Sequence, residues 1–121
     1  MGPSPELDFS LVIPTYNERE NLPELFARLD RILHGRSFEV ILVDDDSPDA
    51  TWAAAEEFRA QYGWLRVIRR KGERGLSPAV VEGFRQARGA ILGVMDGDLQ
   101  HDPGDIPLFL ERISELSLIH I

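Results

Sequence analysis

Four short, β-branched apolar runs alternate with four stretches of helical periodicity, and this alternation constrains the fold more than any other feature of the 121-residue chain. Phe9, Leu11, Val12 and Ile13 lead almost without interruption to Pro14, as expected of a strand buried on both faces. Runs over 38–43, 65–68 and 90–95 repeat the pattern. Between them, Leu22, Leu25, Phe26, Leu29, Ile32 and Leu33 recur at helical spacing. Trp52, Ala55, Phe58 and Tyr62 do the same, as do Val80, Val81, Phe84 and Ala87. A fourth set, Phe109, Leu110 and Ile113, falls within 106–115. The connections are too short for anything but parallel crossovers. The order β-α-β-α-β-α-β-α therefore predicts an α/β fold, an open, mostly parallel sheet with helices on both faces.

Local signals set the expected helix starts. Asn21 with Glu24 three residues on predicts a capping box for the first helix. Asp49 or Thr51 is expected to cap the second. Ser77 is expected to cap the third, with Pro78 at its first position. Trp52 and Trp64 are assigned to core packing, and His34 and His120 to the surface.

Composition narrows the function. The balance of 13 basic against 21 acidic residues, a net charge of −8, argues against nucleic acid or anionic lipid as a partner. The absence of cysteine excludes disulfides, thiolate metal sites and cysteine nucleophiles. No apolar run reaches the roughly 18 to 20 residues of a membrane span, and no signal peptide opens the chain. Eight of the ten aspartates lie in two stretches, 44–49 and 96–105. Aspartate clustered outside helices serves either turn and cap chemistry or a cation.

In an open parallel sheet, ligands bind beyond the carboxyl ends of the strands. Glu18 follows the first strand, Asp44, Asp45 and Asp46 the second, and Asp96 and Asp98 the fourth. With strands in the order 3-2-1-4 these acids converge on one edge, where a cation or ligand donors would have to hold them together. Asp96-Gly97-Asp98 places two carboxylates on one side of an extended segment, suited to a shared Mg²⁺ or Mn²⁺ with a diphosphate as co-ligand; the bland alternative is a solvated turn. An EF-hand is excluded, because its sixth position is His101 and its twelfth Pro107. His101 itself reads as turn decoration. The aspartates at 44–46 either cap and turn the chain or accept hydrogen bonds from a base or ribose. The basic loop from Arg69 to Arg74 is either solvated or faces phosphates. P-loop and dinucleotide fingerprints are absent, and no hydrolase nucleophile motif is present. An aspartyl phosphotransferase built on Asp96 and Asp98 lacks the threonine its pattern needs, because Gln100 stands there.

Four ordered motifs then combine: Val12-Ile13-Pro14-Thr15-Tyr16-Asn17-Glu18 with Asn21-Leu22; Val43 through Asp44-Asp45-Asp46-Ser47-Pro48-Asp49 to Thr51; Gly75-Leu76-Ser77 with Ala79, Gly83 and Phe84; and Met95-Asp96-Gly97-Asp98-Leu99-Gln100-His101. Together they resemble family 2 glycosyltransferases of the GT-A fold, a Rossmann-like nucleotide-diphospho-sugar transferase architecture, nearest the dolichyl-phosphate (polyprenyl-phosphate) mannose synthase group. The resemblance covers about 9–115. It implies that Pro14, Tyr16, Glu18, Val43 and Asp45 line a nucleotide pocket, with Gly97 close to the nucleotide-sugar. It implies further that Asp96 and Asp98 are catalytic and, with Gln100, hold Mg²⁺ or Mn²⁺ against the diphosphate of GDP-mannose. The implied reaction is an inverting attack by a polyprenyl or dolichyl phosphate on the anomeric carbon; UDP-glucose or another donor, or nucleotide binding without turnover, are the alternatives. Residues 1–8 are expected to be a flexible N-terminus, 9–115 the nucleotide-sugar-binding part of a truncated GT-A domain, and 116–121 a tail unlike the family's next strand. A cytoplasmic location is expected, membrane-associated only through parts outside this chain. Gly97 stands where the family commonly has alanine, and Ala50 where it usually has glycine.

Overall fold

A computed structural model describes residues 7–72, 74–97 and 117–120, the last four as backbone. The elements run β1 (Leu7–Thr15), a 3-10 turn (Arg19–Asn21), α1 (Leu22–Ile32), β2 (Phe38–Asp44), α2 (Thr51–Phe58), β3 (Leu65–Arg69), α3 (Leu76–Gln86), β4 (Gly89–Val94) and β5 (Ser117–His120). The strands form one sheet in the order β3-β2-β1-β4-β5, and every pairing is parallel. The expected 3-2-1-4 arrangement is present, and the strand order reverses between β1 and β4.

Period-two alternation sorts the side chains of β1 and β2 between two cores. Phe9, Leu11 and Ile13 of β1, with Val40 and Leu42 of β2, face Leu22, Leu25, Phe26 and Leu29 of α1 and Ala54 and Ala55 of α2. Phe26 lies edge-on to Phe58, Tyr62 and Trp64, with ring centroids 5.3 to 6.0 Å apart. On the opposite face, Val12, Ile41 and Val43 pack against Ala79 of α3. A Cβ added to Gly83 would stand 2.5 Å from Val12 Cγ1, so α3 approaches β1 at a distance only glycine permits. Pro14 follows Val12 on this second face. The ladder to β4 ends at Val12↔Val94, before the missing N–H of Pro14 would break it.

Several expected details differ. Asn21 is in the helical region within the 3-10 turn and forms no cap bond. Its amide is drawn instead to the Glu18 carboxylate, at 2.6 Å, so the capping box with Glu24 does not form. α2 ends at Phe58, and Tyr62 packs from the turn beyond it. α3 starts at Leu76 after Gly75, whose φ of +142° turns the chain sharply into the helix. Ser77 and Pro78 therefore lie within the first turn, and Ser77 is not the cap. Proline remains compatible there, since the first four N–H groups of a helix have no intrahelical partner. The buried positions of α3 are Ala79 and Gly83, whereas Val81 is 54% exposed. Trp52 lies outside both cores and takes the Arg69 guanidinium on its ring face at 3.7 Å. Ser117–His120, which lies in the 116–121 stretch read from sequence as a tail unlike the family's next strand, pairs with β4 from Ile91↔Ser117 to Val94↔His120. A free edge beside β4 offers unpaired backbone groups, and a short apolar stretch satisfies them. The fourth helix expected in 106–115 and the N-terminal residues 1–6 lie outside the described residues.

Candidate functional site

The site is built from the loops that follow β1, β2 and β4, and their own hydrogen bonds fix them to one another. Asn17 N–H donates to Ser47 Oγ at 2.9 Å and Glu18 N–H to Thr51 Oγ1 at 3.0 Å. Arg19 N–H donates to Asp49 Oδ2 at 3.2 Å. Asp49 Oδ1 in turn accepts from Thr51 N–H at 3.0 Å, which makes Asp49 the group that satisfies the start of α2. Asn17, Asp46 and Ala50 all hold positive φ, between 54° and 58°. Such left-handed geometry outside glycine is uncommon, and its concentration in two neighbouring loops marks a place where the chain is bent to fit.

The three consecutive acids have three different surroundings. Asp44 is fully buried and accepts from Thr15 Oγ1 at 2.7 Å, Ser47 N–H at 2.9 Å and Ser47 Oγ at 2.6 Å. Asp45 accepts from Arg70 Nε at 2.8 Å on one oxygen and from Gly75 N–H at 2.9 Å on the other. Asp46 pairs with Arg69 at 2.7 Å. Arginines at and just beyond the end of β3 thus offset the charge for which sequence reasoning required a cation or ligand donors. Arg69 and Arg70 are engaged by protein carboxylates. Arg74 instead lies over the Tyr16 ring, 4.5 Å from its centroid.

Between these groups opens a cleft of about 270 Å³ lined by Pro14, Tyr16, Asp45, Arg74, Gly75 and Leu76, among others. Of the residues expected around a nucleotide, Pro14, Tyr16 and Asp45 line it directly. Val43 is buried beneath, packed toward α3, and does not line the cleft. Glu18 does not line the cleft; its carboxylate accepts from Asn21 Nδ2 at 2.6 Å, and Asn21 also reaches the Gly97 carbonyl at 3.5 Å. Glu18 therefore connects the β1 loop to the end of β4.

Asp96 and Gly97 follow β4 directly. A Cβ on Gly97 would meet Thr15 Cγ2 at 3.1 Å and Ile13 Cγ2 at 3.4 Å, so the segment runs close against the end of β1. A carboxylate at this edge is a hard oxygen donor of the kind Mg²⁺ and Mn²⁺ take, and it fits such an ion. Asp98 and Gln100, expected to complete the set, lie outside the described residues, as does His101. Among the described residues no group of three or more His, Asp or Glu side chains gathers as a metal cluster.

Sequence reasoning passed over Glu39, which sits inside the apolar run of β2. It is 1% exposed and accepts from Ser10 Oγ at 2.6 Å, Arg88 N–H at 2.7 Å and Arg66 Nη1 at 2.9 Å. Burial pushes its pKa up, but the bonds from Ser10, Arg88 and Arg66, with the Arg66 charge, outweigh that and hold it below the ordinary glutamate value. Glu39 lies near the start of β2, at the opposite end of the sheet from the cleft, and its role is structural. A glutamate within an apolar strand is the one signal that would have found it.

A parallel sheet of this order, with acidic side chains and a cleft at its carboxyl edge, is an open α/β architecture of the class that takes its ligands at that edge. The chain belongs to glycosyl transferase family 2, whose family model matches residues 10–119. It is 54% identical over 112 residues to a dolichol-phosphate mannosyltransferase of Pyrococcus furiosus, covering 93% of this chain and 32% of that protein. It is 36% identical over 112 residues to the dolichol-phosphate mannosyltransferase of Saccharomyces cerevisiae, covering 90% of this chain and 42% of that protein. The chain thus spans about a third to two-fifths of the length of these relatives. Among solved structures, the mannosyltransferase PcManGT of Pyrobaculum calidifontis, in complex with GDP-Man and Mn²⁺, shares the fold with a TM-score of 0.71 at 24% identity, over 86% of this chain and 32% of that one. TarS of S. aureus in complex with UDP-GlcNAc matches with a TM-score of 0.64 at 27% identity, over 88% of this chain and 32% of that one.

Proposed function

We propose that this chain is the donor-binding part of a glycosyltransferase that moves a mannosyl group from GDP-mannose to a polyprenyl or dolichyl phosphate. The observation that carries the reading is the 54% identity to the Pyrococcus dolichol-phosphate mannosyltransferase across nearly the whole chain. It is supported by the cleft beside Asp45 and Tyr16 and by Asp96 at the neighbouring edge.

In this reading Pro14, Tyr16, Glu18, Val43 and Asp45 form or support the nucleotide pocket, and Gly97 lets the chain pass close to the sugar-diphosphate. Asp96, Asp98 and Gln100 hold Mg²⁺ or Mn²⁺, the two aspartates being the catalytic pair. When bound, the ion offsets the charge that gathers on the departing diphosphate. An acceptor phosphate oxygen attacks the anomeric carbon from the face opposite the leaving group; the new C–O bond forms as the bond to the diphosphate breaks, with inversion. A phosphate monoester with a second pKa of about 6 is largely ionised at neutral pH, so the nucleophile needs no strong base from the protein. The acceptor lipid is bound by parts of the protein outside this chain, which also carry any attachment to the cytoplasmic face of a membrane.

A second reading has its own support. A dodecaprenyl-phosphate galacturonate synthase of Rhizobium johnstonii is 35% identical over 119 residues, covering 96% of this chain and 35% of that protein, which favours a lipid-phosphate acceptor while leaving the donor sugar open. A thermal-shift panel of GDP, UDP and their sugars with Mn²⁺ separates the two. The largest shift is expected with GDP-mannose; a larger shift with UDP compounds reverses the donor assignment. Product formed from GDP-mannose and a short polyprenyl phosphate by the 121-residue chain alone would contradict the donor-part reading.

A further inference from the structure

The basic loop after β3 divides its charges unequally. Arg69 is engaged by Asp46 and Trp52, and Arg70 by Asp45. The Arg74 guanidinium makes no ion pair among the described residues, rests on the Tyr16 ring and lines the cleft. Its backbone is anchored one residue away, where Gly75 N–H donates to the buried Asp45 carboxylate. A guanidinium lying on a ring face keeps its in-plane N–H fork free to donate.

Asp45 and Asp96 follow the ends of β2 and β4, which are two strand spacings apart in the sheet, roughly 10 Å. A nucleotide with its diphosphate at Asp96 therefore has the reach to place its base in the Asp45–Arg74 end of the cleft. Guanine offers O6 and N7 as paired acceptors on one edge and an N2 amino donor elsewhere, whereas a pyrimidine such as uracil presents a single carbonyl, O4, on the corresponding edge. The two in-plane N–H donors of a guanidinium fork match the paired O6 and N7 acceptors of guanine and find only one acceptor, O4, on uracil; the neighbouring carboxylate would accept a ring N–H of either base and does not discriminate.

We propose that Arg74 reads the base of the donor nucleotide and selects guanine over uracil. This rests on the nucleotide reading above and adds to it the residue that sets base preference. The test is calorimetric titration of GDP and UDP, with Mn²⁺, into the 121-residue chain and into Arg74→Ala and Arg74→Lys. Wild type is expected to bind GDP more tightly than UDP. Arg74→Ala should weaken GDP binding about tenfold, or about 1.4 kcal/mol, and UDP binding less than twofold. Arg74→Lys, which keeps the charge but loses the fork, should lose most of the preference as well. Because Arg74 is exposed, the melting temperatures of all three proteins should agree. Equal weakening of GDP and UDP, which marks a general charge contact, or unchanged GDP binding by Arg74→Ala, overturns the proposal. Those results leave the nucleotide reading standing. Wild-type protein that binds neither nucleotide sinks both.

Discussion

Arg70 Nε donates to Asp45 Oδ1 at 2.8 Å, joining the end of β3 to the end of β2 at the rim of the cleft. Both side chains are nearly buried, at 13% and 10% exposure, and the second oxygen of Asp45 accepts from the Gly75 N–H that turns the chain into α3. A residue proposed to meet the nucleotide therefore also holds the cleft wall in place. Asp45→Ala removes the carboxylate that accepts from Arg70 Nε and from the Gly75 N–H. It should destabilise the protein by about 3 kcal/mol, as expected when a buried pair loses one partner. Urea denaturation checks this; a loss below about 0.5 kcal/mol would mean the pair contributes little to the fold.

Ala50 holds φ at +58° at the start of α2. A Cβ in the left-handed region costs about 1 kcal/mol relative to glycine. Ala50→Gly is accordingly expected to stabilise the protein by about 1 kcal/mol, raising Tm by roughly 4 °C. A fall in Tm would show that the loop does not hold this conformation in solution.

Gly83→Ala tests the packing of α3 in the opposite sense. The added methyl would meet Val12 Cγ1 at 2.5 Å on a central strand with little room to move. Overpacking of this kind costs about 1 to 3 kcal/mol. Thermal denaturation of the variant should show the loss, and an unchanged Tm would contradict the close approach of helix and sheet.

Glu39 gives the fold a defined acid sensitivity. Its folded pKa lies below the unfolded value, so its stabilising contribution is fully present above about pH 4.3 and is lost as pH falls through the lower folded value. Glu39→Gln should be less stable than wild type at neutral pH. The gap should narrow as pH drops below about 4, measured by denaturation at a series of pH values. A gap that stays constant or widens in acid would contradict the network with Ser10, Arg66 and Arg88.

The sheet was legible because its signal is long and redundant. Apolar runs buried on both faces leave few alternatives once the connections are short. The strand order 3-2-1-4 was assumed as a common one and not dictated by the residues, and the structure supplies it. Helix starts were less legible, since they depend on which competitor takes a polar side chain. Asn21 could cap α1 or bind Glu18, and the tertiary partner won. Asp45 could be expected at the carboxyl edge from its position after a strand, whereas the place of Tyr16 beside it came only from the family resemblance. Spacing alone did not reveal that Arg69 and Arg70 would be taken up by Asp46 and Asp45, since that requires knowing that β3 lies beside β2 in register, with Asp44 opposite Arg69. Glu39 escaped notice because one charge within an apolar run carries no periodic signature, and its partners are 27 to 49 residues away.

The most direct test of a metal-assisted nucleotide site at the carboxyl edge is titration of GDP into the 121-residue chain and into Asp98→Ala, each with Mn²⁺ and with a chelator. Wild type should bind GDP in the presence of Mn²⁺ and lose most of that affinity to the chelator. Asp98→Ala should bind several kcal/mol more weakly at saturating metal, the scale of a charge left without its partner, and respond little to chelation. If Asp98→Ala binds GDP as tightly as wild type and still responds to Mn²⁺, Asp96-Gly97-Asp98 is a turn and the metal assignment is wrong.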